Sequence, residues 1–176
     1  MKHEYGSLPH NTQWLCLTAL MMAINVILSS FSIPVPGGHF YFNEIIITIA
    51  AISLDPAGAF VVAGIGAFLG DFFFYPAPMF VSLVVHGIQG VVISVIARKC
   101  LTDKPIVASV MGVTAGQIIS CIGYFLGRAF VYSTMEYAMI KIPFDLLQGV
   151  VDCVIGLFIC WKWSFPSIVQ RIIIKK

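Results

Sequence analysis

Within its most apolar stretches this sequence carries His86, Gln89, Tyr124, Arg128, Gln148 and Asp152, side chains that donate, accept or ionise. In lipid such groups are costly unless they face a bundle interior or a water-filled cavity. Helical spacing brings them to similar depth. Counting ~1.5 Å per residue, His86 and Gln89 lie ~12 and ~16 Å beyond Pro78, and Gln148 and Asp152 ~8 and ~14 Å beyond Pro143. By the same rise, Arg128 and Tyr124 lie ~5 and ~11 Å before Val131. Donors, acceptors and ionisable groups from three segments thus converge in one half of a membrane, a pattern that holds a polar solute. Hydrolytic and nucleotide motifs are missing: the sequence has no HExxH, GxSxG or Walker loop. Cys16, Cys100, Cys121, Cys153 and Cys160 form no CxxC pair and read as small buried hydrophobes rather than a disulfide frame or metal site. No catalytic residue, metal or cofactor is expected, and any ATP-driven work would fall to partners.

Other polar residues admit two readings. Asp71 stands near a helix C-terminus, where the helix dipole opposes a carboxylate, so it needs a partner or a solute. Asn43 and Glu44 suit either a helix cap or the site. Asp145, two residues after Pro143, suits the first turn of a helix. His86 bonds a neighbouring helix or the solute, and Asp152 and Arg128 either neutralise each other or face the solute. Tyr41, with Phe40, Phe42, Phe72, Phe73, Phe74 and Tyr75, fits an interfacial aromatic belt and equally a clamp for a flat ring.

The elements that must position these groups are membrane helices. Of 176 residues, 59% are hydrophobic and 10% charged, with mean hydropathy +0.96, against ~25% charged in a soluble domain. At ~20 residues per span, the length accommodates about six helices and one bundle. The expected fold is an all-α integral membrane protein with six transmembrane helices, a single domain over residues 1–176. A net charge of +2 gives no footing for nucleic acid. Helix 1 covers residues 12–30, a retained span rather than a cleaved signal peptide. Ile33-Pro34-Val35-Pro36-Gly37-Gly38 then predicts an irregular loop. Helix 2 covers 41–54 and is short; helix 3, 57–74; helix 4, 79–97; helix 5, 106–132. Pro143 suits the first turn of helix 6, over 143–163, and Pro166 ends the pattern before a tail.

Small residues recur at three- or four-residue spacing: Ala108, Gly112, Gly116 and Ser120; Ala59, Ala63 and Ala67 beside Gly66 and Gly70; Gly87 and Gly90 with Ser94 and Ala97. In lipid such stripes let helices approach closely. Basic residues orient the chain. Lys2, Arg98, Lys99, Lys104, Lys162, Arg171, Lys175 and Lys176 share the side of the termini, against Arg128 and Lys141 opposite. Both termini are therefore expected to be cytoplasmic.

The chain resembles the substrate-binding S components of energy-coupling factor (ECF) vitamin transporters, in their riboflavin-transporter-like branch. The likeness rests on Ala19-Leu-Met-Met-Ala23, on Phe42-Asn43-Glu44 through Asp55-Pro56 to Gly64-Ile-Gly66 and Gly70-Asp71, and on Pro78 followed by His86-Gly87-Ile88-Gln89-Gly90. It implies a six-helix module in a prokaryotic cell membrane that binds its solute between the outer loops and helices 4–6. It also implies docking through Ala19 and Ala23 on a transmembrane coupling subunit with two ATPases. Where such families often have a lysine in helix 4, this chain has His86. The expected solute is a small hydrogen-bonding heteroaromatic, a B6 vitamer or hydroxymethylpyrimidine, bound by His86, Gln89, Tyr124, Arg128, Gln148, Asp152, Asp71, Asn43 and Tyr41. Riboflavin, pantothenate or folate are the alternatives within the family. Outside it stand a self-sufficient carrier or channel and, last, a membrane enzyme using His86 and Asp152.

Overall fold

The computed structural model describes residues 8–36, 38–101 and 103–174. Gly37 of the expected loop, and Lys2, Lys175 and Lys176 of the charge balance, lie outside them. Helix α1 (Thr12–Ser29) opens on Asn11, whose side chain accepts the Trp14 N–H at 2.9 Å, a cap that satisfies one free donor of the first turn.

The Pro/Gly stretch is ordered as a hairpin rather than as an irregular loop. Strands β1 (Ser32–Val35) and β2 (Gly38–Tyr41) pair antiparallel, with Pro34 opposite His39. In a two-stranded ribbon each strand is an edge, so the missing amide hydrogen of Pro34 is tolerated. Gly38 holds φ +151°, which side chains rarely adopt. Tyr41, expected to start helix 2, instead ends β2.

Helix α2 (Asn43–Ser53) is buried along almost its whole length. It is followed by α3 (Pro56–Phe74), which contains a π-helical turn at Val61–Ile65. Then come α4 (Met79–Lys99) and α5 (Pro105–Tyr132), whose last five residues, Arg128–Tyr132, are π-helical. Next are α6 (Met135–Lys162) and α7 (Phe165–Ile174). Helices α1, α3, α4, α5 and α6 are long and apolar enough to cross a membrane. At 11 residues, α2 spans about 16 Å, roughly half of a bilayer's ~30 Å hydrocarbon core.

Two proline expectations change. Helix α6 begins eight residues before Pro143, capped by Thr134, whose hydroxyl accepts the Tyr137 N–H at 3.4 Å. Pro143 therefore lies inside the helix, which membrane bundles tolerate because neighbours re-satisfy the freed backbone. Pro166 likewise does not end the helical pattern. It sits in the first turn of α7, where its missing amide hydrogen costs nothing, and α7 buries Val169 and Ile173.

The small-residue stripes are where backbones meet. A Cβ on Gly90 would lie 2.9 Å from the Ala59 carbonyl oxygen, and one on Gly64 2.9 Å from that of Leu83, so α3 and α4 touch almost without side chains. Gly112, Gly116, Gly123 and Gly127 of α5 receive Ile93, Val85 and Val81 of α4. Gly66 and Gly70 of α3 receive Asn25 and Ser29 of α1, and Asn25 donates to the Val62 carbonyl at 2.6 Å. On α1, Ala19 and Ala23 are exposed.

At the end where α1 starts, Asp55 accepts from Trp14 Nε1 at 2.7 Å and pairs with His10 at 3.0 Å. Burial pushes its carboxyl upward, but the bonds from His10 and Trp14 prevail and hold it below the ordinary value of 3.8. This cluster ties the segment before α1 to the α2–α3 turn.

Candidate functional site

Beneath the hairpin, between α2, the end of α3, and α4, α5 and α6, lies a cavity of about 150 Å³, roughly ten times the space one water needs. Of the residues expected at the site, Tyr41, Asn43, Asp71, His86, Tyr124, Arg128 and Gln148 line it. Gln89 and Asp152 lie behind the lining, 1% and 0% exposed.

The wall made by α3, α4 and α5 is a chain of hydrogen bonds. Ser82 donates to Asp71, and its hydroxyl lies 2.6 Å from that of Tyr124. The Asp71 carboxylate, opposed by its helix dipole, thus has a partner as expected. The His86 ring meets Tyr124 edge-on at 5.2 Å. His86 bonds within its own helix rather than to a neighbour: Nδ1 lies 2.6 Å from Gln89 Oε1. An amide oxygen only accepts, so Nδ1 donates, and in the neutral ring Nε2 is then an acceptor. Gln89 therefore acts on the site through His86.

Further along α5, its π-helical end carries Arg128 and Tyr132 into the cavity. Arg128 Nη1 donates to Asp145 Oδ2 at 2.9 Å, and Lys141 Nζ lies 3.0 Å from Asp145 Oδ1. Two expectations are corrected here. Arg128 pairs with Asp145 and not with Asp152, and Asp145 is no first-turn residue, because its helix began at Met135. Lys141, counted above as a charge on the outer side, is 2% exposed and lines the cavity.

Glu44, from the start of the buried α2, closes the inner side. The α2 N-cap has no side-chain hydrogen bond. The Glu44 carboxylate instead accepts from Ser120 at 3.2 Å through Oε1, while Oε2 has no hydrogen-bond partner among the described residues. Both Asp152 oxygens are in the same condition. The hairpin is tied down over the cavity, the Tyr41 N–H donating to Gln148 Oε1 at 3.1 Å. A Cβ on Gly38 would come within 3.2 Å of the Lys141 stem, so a glycine there lets β2 sit close above it.

Sequence reasoning missed Lys141, Tyr132, Tyr137 and the full role of Glu44. One signal was available: Tyr137, Lys141, Asp145 and Gln148 recur at helical spacing and share a face. It shows only once Pro143 is taken as interior to the helix. The arrangement can grip a flat polar molecule from several sides. Among the described residues, no group of three or more His, Cys, Asp or Glu side chains is placed to hold a metal ion.

Residues 10–164 match the family model described as ECF-type riboflavin transporter, S component. A Pyrococcus woesei protein named "Uncharacterized protein in gap 3'region" is 25% identical over 135 residues, covering 77% of this chain and 88% of that protein.

Proposed function

This chain belongs to the family of ECF-type riboflavin transporter S components, and from that premise we propose that it captures a small, flat heteroaromatic vitamin or vitamin precursor. As an S component it is the substrate-binding subunit of such a transporter, and its apolar helices make it a multi-pass membrane protein. The observation that carries the substrate reading is Glu44. Its carboxylate lines the cavity, 4% exposed, with one oxygen lacking a hydrogen-bond partner among the described residues. A buried acceptor left unpaired is costly, so it calls for a donor from the solute. A ring N–H or exocyclic amine supplies one, with Tyr41, Tyr75, Tyr124 and His86 at hand to stack on the ring. A B6 vitamer or hydroxymethylpyrimidine offers this on a single ring, suiting the cavity's size. Riboflavin is the second reading, favoured by the family's description, and its imide N–H would meet the same carboxylate. Tyr41, Asn43, Asp71, His86, Tyr124, Arg128 and Gln148 are the contact residues, with Gln89 and Asp152 one layer behind.

The rest of the reading concerns the assembly. Residues 1–176 form one domain with six spans, α2 being the short one, and both termini are cytoplasmic. The charge asymmetry supports this orientation, the more so because Arg128 and Lys141 are buried in the cavity instead of lying in outer loops. A transmembrane coupling subunit and two ATPases drive uptake, and this chain performs no catalysis. The exposed Ala19 and Ala23, one turn apart, offer a smooth strip for docking.

Isothermal titration of the purified protein in nanodiscs with pyridoxine, hydroxymethylpyrimidine and riboflavin tests the substrate reading, and no binding by any of them sinks it. Native mass spectrometry of gently extracted protein gives an independent identification. Ala19→Leu combined with Ala23→Leu should leave affinity unchanged and abolish ATP-driven uptake by the complex. Undiminished uptake would remove the docking role.

A further inference from the structure

We infer that the end of the cavity bounded by Arg128 and Lys141 is a subsite for an anionic substituent on the solute, a phosphate monoester or a carboxylate. This rests on the reading that the cavity holds the solute. Arg128 and Lys141, 7% and 2% exposed, share the single carboxylate of Asp145. A strut between α5 and α6 needs one cation to balance Asp145; among the described residues the second has no carboxylate of its own within ion-pair distance, Glu44 acting on Lys141 only from farther away, and a buried charge so placed is expensive. Glu44 and Asp71 face the same cavity, but they bond Ser120 and Ser82, and among the described residues neither forms an ion pair with the two cations.

Donor capacity points the same way. Lys141 Nζ is close to Asp145 but aligned in a hydrogen bond with no described group. An ammonium offers three donors and a guanidinium five, the latter in a fork matched to carboxylate and phosphate. Tyr132, Ser133 and Tyr137 add hydroxyls to the lining, next to these cations in the chain or on the same helix face. Acceptors, by contrast, sit on α2 and α3 as Glu44 and Asp71. The cavity thus offers both acceptors and cationic donors. A ring bearing a donor edge toward Glu44 and an anionic arm toward Lys141 satisfies both ends.

The test compares pyridoxine, pyridoxine 5′-phosphate and 4-pyridoxic acid by isothermal titration in nanodiscs, with riboflavin and its 5′-phosphate as the parallel pair. The anionic form should bind about tenfold tighter or more, and the phosphate and carboxylate arms identify which group is read. In Lys141→Gln the advantage should fall below about threefold, while Lys141→Arg keeps it. Arg128→Gln replaces Lys141→Gln if the latter is not monodisperse. Equal affinity for neutral and anionic forms, or an advantage that survives Lys141→Gln, overturns the subsite and leaves the vitamin reading standing. If no vitamin form binds, that reading fails, and inorganic phosphate then decides the subsite. A Tm rise over chloride at matched ionic strength, absent in Lys141→Gln, supports it; no rise overturns it.

Discussion

Where α1 meets α3, Asn25 donates to the Val62 carbonyl, and within α1 Ser29 donates to the Asn25 carbonyl; where α4 meets α2, Ser94 donates to that of Leu54. Around the cavity, Glu44 and Lys141 are just as buried, yet among the described residues Glu44 keeps an oxygen without a partner and Lys141 an ammonium with no aligned hydrogen bond. Both regions pack polar groups into a membrane bundle. In the first, the donors are short side chains that reach a backbone oxygen. In the second, an accepting carboxylate and a donating ammonium have incomplete partners among the described residues. Asn25 Oδ1 is also without a hydrogen-bond partner among the described residues, so an open bond occurs in both regions; what sets Glu44 and Lys141 apart from a side chain that glues helices is that they line the cavity and Asn25 does not. Burial alone does not separate the two.

Substitutions should split along this line, affinity moving in one region and stability in the other. The largest effect is expected from Gly90→Leu, whose side chain meets the Ala59 carbonyl at the α3–α4 contact. Overpacking there should cost about 3 kcal/mol or more, read as loss of monodisperse protein on gel filtration. Next, Glu44→Gln should weaken solute binding about tenfold or more with little change in Tm, measured by titration and thermal denaturation of one preparation. A Tm collapse with unchanged affinity would assign Glu44 to the glue. Asn25→Ala should do the reverse, lowering stability by about 1 kcal/mol while the dissociation constant stays the same. The smallest effect concerns Asp55. Its folded-state pKa is depressed, so its contribution is complete above the ordinary 3.8 and is lost as pH falls through the lower folded value. Tm should therefore drop more steeply in that acid window for the wild type than for Asp55→Asn, with no effect near neutrality.

The site was half legible. His86, Tyr124, Arg128 and Gln148 could be found because a polar residue in an apolar helix is anomalous wherever it points. Lys141 and Asp145 escaped because Pro143 has two outcomes, first turn or tolerated interior, and neighbouring helices decide between them. Glu44 looked like a cap because it opens a helix; only the placement of Ser120 from α5 shows where its carboxylate goes. The hairpin escaped for a related reason. Two prolines and two glycines exclude helix, but strand pairing needs a partner that local propensity does not name.

By itself the sequence determined the membrane class, the positions of the long apolar helices except the start of α6, and the stripes on which they pack, because hydropathy and the spacing of small residues are local properties. Tertiary structure decided the polar partners: Arg128 with Asp145 rather than Asp152, Gln148 with the Tyr41 amide, Glu44 with Ser120. Those pairings depend on helix rotation and, for Arg128, on the π-helical turn that it opens, which shifts side-chain direction without leaving a mark in composition.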